Sequence, residues 1–530
     1  MYNFELLALY NNSWGDFDFN ATLGGNLYKV NNQTIVTTAK DMKIRDVVAL
    51  MSFNEVSVEP YSYRKQINSV YGAVNLGWKH MLYFDATLRG DQSSTLPVSN
   101  NMYIYPSFSG SFVFSELLKL GDKLPYGKVR MSWAQVGSDT DPYQLGLVYT
   151  KSKFAYPGYT IGYISNGTIP NKDLKPTKTN SFEMGLELKF LKNRIGLDFT
   201  YYSQLSKNQI MGMASSSTSG YGYRLINAGE IENKGVEIAL NTRPIQTKDF
   251  SWNLNFNFSK NSNKVKKLVD DMDMFELEKV HGLTYKWLQV GENFGSIVGP
   301  DFQRNENGDI LIDPSTGLPM YDKSSHVLGN ASWDWTGGVY TNFSYKNISL
   351  SAVFDVKVGA DLYSMSARAA HETGKSMATL EGREAWYKSE EARQAAGYAK
   401  DSPDWIPTGG FIAPGVIDNG DGTYRENDIV INPEKYWMSV CRNAPSMFIY
   451  DNSYVKCREI TLSYTLPKAW LKNVVDGLTI SFVARNPFIV WKNIPNIDPD
   501  SNYNNTTGMG MEYGSLPSRK SYGFNVNVKF

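Results

Sequence analysis

Four histidines, His80, His281, His326 and His371, are the first residues to test for acid–base or metal chemistry. They stand far apart, in turn or loop contexts. A zinc site needs three or four ligands in one place. A hydrolase needs serine, histidine and a carboxylate in contact. His371-Glu372 could be half of a metal or base pair, but no second ligand set accompanies it. Serines are too common for one to stand out as a nucleophile. Each histidine therefore reads as a loop or lumen residue. Asp418-Asn-Gly-Asp-Gly-Thr-Tyr424 resembles part of a calcium loop, but it lacks the acidic spacing and the closing glutamate. It reads as an Asn-Gly turn, and so does Asn305-Glu-Asn-Gly-Asp309. Cys441 and Cys457 match no metal-ligand spacing, and the sequence leaves open whether they pair. The expectation is a protein that is not an enzyme, with no catalytic residue, metal or cofactor.

Binding is better served. Tyr156, Tyr159, Tyr163, Tyr221, Tyr223, Trp405, Trp437, Tyr503 and Tyr513 crowd the segments between regular stretches. Sugars and peptides are held by such surfaces, through ring stacking and amide hydrogen bonds. Solvated loop filler gives the same composition, so no binding residue is nominated.

The elements that must carry these residues follow from composition and period. The chain has 530 residues, 53 basic against 53 acidic side chains, and 14% aromatics. Single compact cores stop growing near about 300 residues, so either several domains or one repetitive architecture is expected. Balanced charge excludes the basic face of a nucleic-acid binder. No run of 18 or more apolar residues marks a membrane helix.

The period is 2. In the terminal Ser521–Phe530 stretch, Tyr522, Phe524, Val526, Val528 and Phe530 share one face, and Ser521, Gly523, Asn525, Asn527 and Lys529 the other. Phe182 to Phe190, a turn at Leu191-Lys192-Asn193, and Ile195 to Tyr201 make the clearest hairpin. The pattern recurs about 15 times, in runs averaging about ten residues, the length a tilted strand needs to cross a bilayer. Residues after Leu27 through about 62 read as a polar loop. The connections alternate between long and short without slipping: 137–180, 204–225, 263–334, 358–454 and 491–520 are long, and 117–127, 191–193, 242–250, 346–347 and 467–477 are short. Outer-membrane barrels have short periplasmic turns and long extracellular loops. The fold expected is therefore all-β, an antiparallel transmembrane β-barrel. Helical composition over 376–398 suggests a packing helix or lid within the longest outer loop.

With these residues laid out, the sequence resembles the C-terminal barrel of SusC/RagA-type TonB-dependent transporters. The matching stretches are Asn171-Lys-Asp-Leu-Lys-Pro176, Asn227-Ala-Gly-Glu-Ile-Glu-Asn-Lys-Gly-Val-Glu237, Trp335-Thr-Gly-Gly338, Tyr345-Lys-Asn347, Tyr454 through Tyr464, Ala484-Arg-Asn486, Asp498-Pro-Asp500 and Tyr522-Gly-Phe524. Pro176 stands where the family usually has tryptophan. The resemblance implies that residues 1–530 are the C-terminal part of the barrel, a partial barrel without its plug domain, because such barrels have about 22 strands. It implies the outer membrane of a Gram-negative bacterium and contact with its lipids. It also implies a SusD-like surface lipoprotein and the TonB complex as partners, with a glycan or peptide as cargo. The competing expectation is a soluble or surface carbohydrate-binding β-protein without transport.

Overall fold

The computed structural model describes residues 1–119, 121–151, 159, 161–164, 167–269, 272–281, 284–400, 402–471, 474–502 and 508–530. The chain folds as two compact units, residues 1–234 with 266–271, and 235–265 with 272–530. Fifteen long strands follow one another along one antiparallel sheet in chain order. They are β1 (Tyr2–Trp14), β2 (Phe17–Met42), β3 (Phe53–Trp78), β4 (Leu82–Ser93), β5 (Met102–Phe112), β6 (Tyr126–Ser138), β7 (Thr177–Phe190), β8 (Ile195–Ala214), β9 (Tyr223–Gln246), β10 (Phe250–Lys267), β11 (Trp335–Tyr345), β12 (Ile348–Val358), β13 (Tyr454–Thr465), β14 (Gly477–Lys492) and β15 (Ser521–Lys529). Each period-2 run of the sequence falls on one of these strands. No helix among the described residues is long and apolar enough to cross a membrane.

Register keeps the two faces apart across many strands. In the second unit one row reads Trp252–Phe343–Leu350–Leu462–Phe482–Phe524, each residue paired with the next. Rings meet within it, Trp252 and Phe343 stacked with centroids 5.5 Å apart, and Phe482 and Phe524 tilted at the same distance. A row on the opposite face reads Ser251–Ser344–Ser349–Ser463–Ser481–Asn525. Ser463 and Ser481 hydrogen bond at 2.8 Å. A one-residue slip would exchange these faces, so the apolar requirement of one side fixes the register. Phe524 is 80% exposed. An apolar row left that open has no place in water and is what lipid requires.

One expectation is corrected. Residues 28–42 and 53–62 are strand and not polar loop, because β2 and β3 stay paired from Phe17–Trp78 to Met42–Phe53. Each is 26 residues long. At ~3.3 Å per residue they extend well past a hydrocarbon layer of ~30 Å. Beyond the lipid neither face must be uniformly apolar, so alternation fades while pairing continues. The β-branched stretches Thr34-Ile-Val-Thr-Thr38 and Val56-Ser-Val58 still favour strand there.

The connections differ by end. In the first unit the turns 15–16, 79–81, 113–125 and 191–194 lie at one end, and 43–52, 94–101, 139–176 and 215–222 at the other. The turn 113–125 carries α1 (Phe114–Leu118). In the second unit 247–249, 346–347 and 466–476 oppose the connection before 335 and those at 359–453 and 493–520.

The long connections of the second unit fold on themselves. They contain α2 (Met365–Glu372), α3 (Arg383–Ala395), α4 (Pro433–Asn443) and several short strand pairs. A buried apolar cluster lies here, built from Ile297, Phe302, Ile312, Tyr363, Phe411, Tyr436, Trp437, Val440 and Phe448 among others. This core is not part of the fifteen-strand sheet.

Candidate functional site

The polar sheet face comes first, because the interior of a membrane barrel is lined by it. On β6 to β8 the Arg130 guanidinium reaches across Gly185 to Asp198, with contacts of 2.8 and 3.1 Å, and donates to Thr200 at 2.7 Å. A Cβ on Gly185 would lie 2.5 Å from Arg130, so the bridge needs glycine on the middle strand. The same device occurs on β1 to β3. Tyr71 lies over Gly24 and donates to Glu5 on the far strand. A long polar side chain thus spans three strands where the middle one is bare.

At the long-loop end of the second unit the face changes character. In both the β12–β13 and β13–β14 ladders, pairing skips Arg458. This β-bulge adds one residue and reverses the alternation. Beyond it Ile460 and Leu462 share the apolar row, while before it Lys456 and Tyr454 pair with Asp355 and Lys357 of the polar face. Lys456, only 2% exposed, donates to Asp500 at 2.6 Å and to Asp498 at 3.2 Å. Arg458 joins Asp355 and Asp500, each at 2.5 Å. Tyr454 donates to Asp500 at 2.9 Å. Burial pushes the Asp500 carboxyl up, but hydrogen bonds from Arg458 and Lys456 outweigh it and hold the group below the usual carboxylate range. Asp498 is likewise raised by burial and lowered further by Ser518, backbone N–H groups and Lys456. The connection 493–520 is therefore fastened to the sheet by paired, desolvated charges.

A second fastening joins that connection to 359–453. The buried Glu512 carboxylate accepts from the Ser364 and Ser366 hydroxyls, both at 2.7 Å, and from the Ser366 and Ser515 backbone N–H groups. Ser364 also caps α2, accepting from Ala367 N at 3.0 Å. Glu512 thus sits where the first turn of α2 offers donors. At α4, Asn432 accepts from Glu434 N at 2.8 Å and Pro433 opens the helix. α3 starts at Gly382 with φ 72°, where a Cβ would meet Gly410 O at 2.5 Å.

Between α2, α3 and α4 lies a cleft of about 450 Å³, with Trp386, Tyr387 and Trp437 among its walls. The His371 ring packs 4.8 Å from Trp437 and 5.3 Å from Phe448. Its Nδ1 lies 2.8 Å from Ala367 O and its Nε2 3.1 Å from Ser376 Oγ. A carbonyl can only accept, so Nδ1 carries a proton and donates it to Ala367 O. A larger hollow of about 630 Å³, between Ala8, Leu23, Val74, Leu88 and Phe108, lies on the apolar sheet face and is a feature of the lipid side.

The residues marked in the sequence separate clearly. Glu372 meets Arg368 at 3.4 Å and Arg442 at 3.8 Å, which is not a base pair with His371. His326 lies 3.0 Å from Asp322, and His80 lies 3.7 Å from Asp18 at the surface. The His281 side chain, Tyr156 and Tyr503 lie outside the described residues. Asp418 and Asp421 spend their carboxylates on Gly420 N and Thr423 N, as in local Asx turns. Among the described residues no group of three or more His, Cys, Asp or Glu could hold a metal. Tyr159, Tyr163, Tyr223 and Tyr513 are exposed, whereas Trp437 is a core residue and Trp405 packs on Tyr398. Cys441 and Cys457 are both buried and free. Burial, reinforced by the Glu372 charge, pushes the Cys441 thiol up to about 12.

The charge network and the helical connections escaped the sequence reading. The Arg458 bulge hides Lys456 from a strict period of 2. The caps were legible, since Asn432-Pro433-Glu434 is a helix-start signature.

Long two-faced strands, turns short at one end and built up at the other, and desolvated charges at the rim define an outer-membrane barrel. Residues 2–351 match the family model described as TonB dependent receptor-like, beta-barrel, and the chain belongs to that family. It is a family of outer-membrane receptors and transporters of Gram-negative bacteria. TonB-dependent receptor P3 of Formosa agariphila is 25% identical, the match covering 99% of this chain and 52% of the relative. TonB-dependent receptor SusC of Bacteroides thetaiotaomicron is 23% identical over 83% of this chain and 42% of its own length. The chain spans about half the length of the curated relatives it matches. Among solved structures, that of the RagAB peptide transporter superposes with a TM-score of 0.77 at 20% identity, covering 100% of this chain and 55% of the other. At that identity the likeness is one of fold.

Proposed function

We propose that this chain forms barrel wall and outer loops of an importer that carries a large nutrient, a glycan or an oligopeptide, across the outer membrane. The TonB complex supplies the energy, and a SusD-like surface lipoprotein covers the long-loop end. The observation that carries this reading is the folded loop assembly rooted on the polar sheet face through Lys456, Arg458, Asp498 and Asp500. A plain diffusion pore has no need of a loop assembly with its own core. Of the three relatives named above, RagAB is a peptide transporter, which keeps an oligopeptide beside a glycan as cargo. In this reading the strands are scaffold, apolar toward lipid and polar inward, and the loops bind.

The test is uptake of labelled oligosaccharides and oligopeptides by cells with the gene intact, deleted, or intact with TonB inactivated. The expected result is uptake of one cargo class that disappears in both mutants. Uptake that survives loss of TonB would sink the reading.

A further inference from the structure

We propose that a lysine patch on the lipid-facing side of the first unit binds the phosphorylated headgroup of a glycolipid in the outward leaflet, with its acyl chains on the apolar row below. On β7 and β8 that row runs from the Phe190–Ile195 pair to Met184–Tyr201. From Phe190 to Phe182 it climbs ~26 Å at ~3.3 Å per residue, close to the apolar band of such barrels, about 25 Å tall. Above Phe182 the same side turns polar. Asn180 accepts from Gln135 at 2.9 Å, and Lys178 then lies directly opposite Lys207. This end of β7 and β8 leads to the connections 139–176 and 215–222, so the two lysines stand at the outward leaflet.

The patch holds more positive charge than it answers. Lys207 meets Glu230 at 3.0 Å. Glu232 is shared between Lys234 at 2.8 Å and Lys266 at 3.4 Å. Glu230, Glu232 and Lys234 are alternate residues of β9, so they share one side of it, the side that meets Lys207. Lys178 meets no carboxylate among the described residues. Four cations thus face two anions, all within the first unit.

Charge and position together select the ligand. Like charges directly opposite on adjacent strands repel, and an anion seated over Lys178 and Lys207 relieves that cost. A phosphomonoester brings about −1.5 to −2 charges at neutral pH, which matches the surplus of the patch. Free phosphate would have to give up water for half-exposed lysines alone. A phosphorylated glycolipid also lays acyl chains along the apolar row beneath, so ionic and apolar contacts come from one molecule. The proposal rests on the membrane face of the barrel and not on its cargo, so it stands or falls apart from the importer reading.

The experiment is native mass spectrometry of the full-length protein in detergent micelles. The probes are lipid A carrying two phosphates, the same lipid A stripped of both, and inorganic phosphate. The expected result is an adduct of phosphorylated lipid A about tenfold or more above that of the stripped form, and undiminished by millimolar inorganic phosphate. A lysine beside a charged membrane surface is worth about fivefold in binding. Lys178→Gln, which breaks no ion pair, should therefore weaken retention about fivefold, and Lys178→Gln with Lys266→Gln about tenfold or more. Lys79→Gln with Lys192→Gln, on turns at the opposite end, should leave it unchanged. Heat-modifiability on gels checks that each variant is folded. Equal retention of the two lipids, displacement by inorganic phosphate, or a loss in the Lys178 variants no greater than in the Lys79 and Lys192 pair would overturn the proposal.

Discussion

Lys456 is the side chain on which the rim of the second unit depends most. It is buried against two carboxylates, so removing its charge leaves the desolvated Asp498 without a cation, while Asp500 keeps Arg458. Loss of one member of a buried ion pair costs about 3–5 kcal/mol. Lys456→Met is therefore expected to free the 493–520 connection, seen as faster proteolytic cleavage there while the strands stay intact. The dependence on pH has a definite sign. Asp498 and Asp500 are both held below the ordinary aspartate value of about 3.9. Their stabilisation is present in full above about pH 5 and is lost as pH falls through about 4 and below. The protection factors of this connection, which are the intrinsic exchange rate at each pH divided by the observed rate, should stay flat from pH 8 to 5 and fall under stronger acid. A fall already at pH 6 to 7 would mean that other groups hold it. At this scale the sequence was least legible. Lys456 and Arg458 stand out only as part of the Tyr454–Tyr464 stretch until the bulge is known, and Trp437, one of the loop aromatics from which no binding residue is chosen, packs in a core.

Among the elements, β15 shows why the strands could be read so well. Lipid tolerates no mixed face, so every strand that crosses it must alternate, and the alternation is visible without partners. Substitutions on its two faces should therefore behave oppositely. Phe524→Arg places a charge on the apolar row, at a cost of about 2–4 kcal/mol near the midplane, whereas Asn525→Arg falls on the polar row. The former should lower the fraction of folded, heat-modifiable protein on gels and the latter should not. Equal losses would contradict the facing seen in the register. Where lipid stops, legibility stops with it. The outer halves of β2 and β3 lost their alternation and read as loop, though their β-branched residues still favoured strand. The 376–398 stretch was read as helical and holds α3, while α2 and α4 are short and were passed over despite Ser364 and Asn432 at their caps.

For the whole molecule, apolar burial and membrane span are divided between different parts. The buried apolar cluster of the second unit belongs to the loop assembly, while Phe343, Leu350, Leu462, Phe482 and Phe524 of its strands stay exposed. Stability should therefore come apart in experiments. Tyr436→Ala removes a ring from the loop core, a change that costs about 3–5 kcal/mol in a packed interior. It should weaken the near-ultraviolet signal and raise loop proteolysis at a temperature where heat-modifiability is unchanged. A joint collapse of both signals would show instead that loops and strands unfold as one cooperative body.

The two buried thiols turn this division into something that can be timed. Cys441 lies within α4 in the loop core, and Cys457 lies on β13 next to the bulge. Neither can meet a maleimide until its own surroundings open. The alkylation rate at Cys441 is thus a clock for breathing of the loop assembly, and that at Cys457 a clock for separation of β13 from its neighbours. A chain with one thiol of each kind carries its own pair of reporters, and a ligand that closes the loops should slow the first clock and leave the second running.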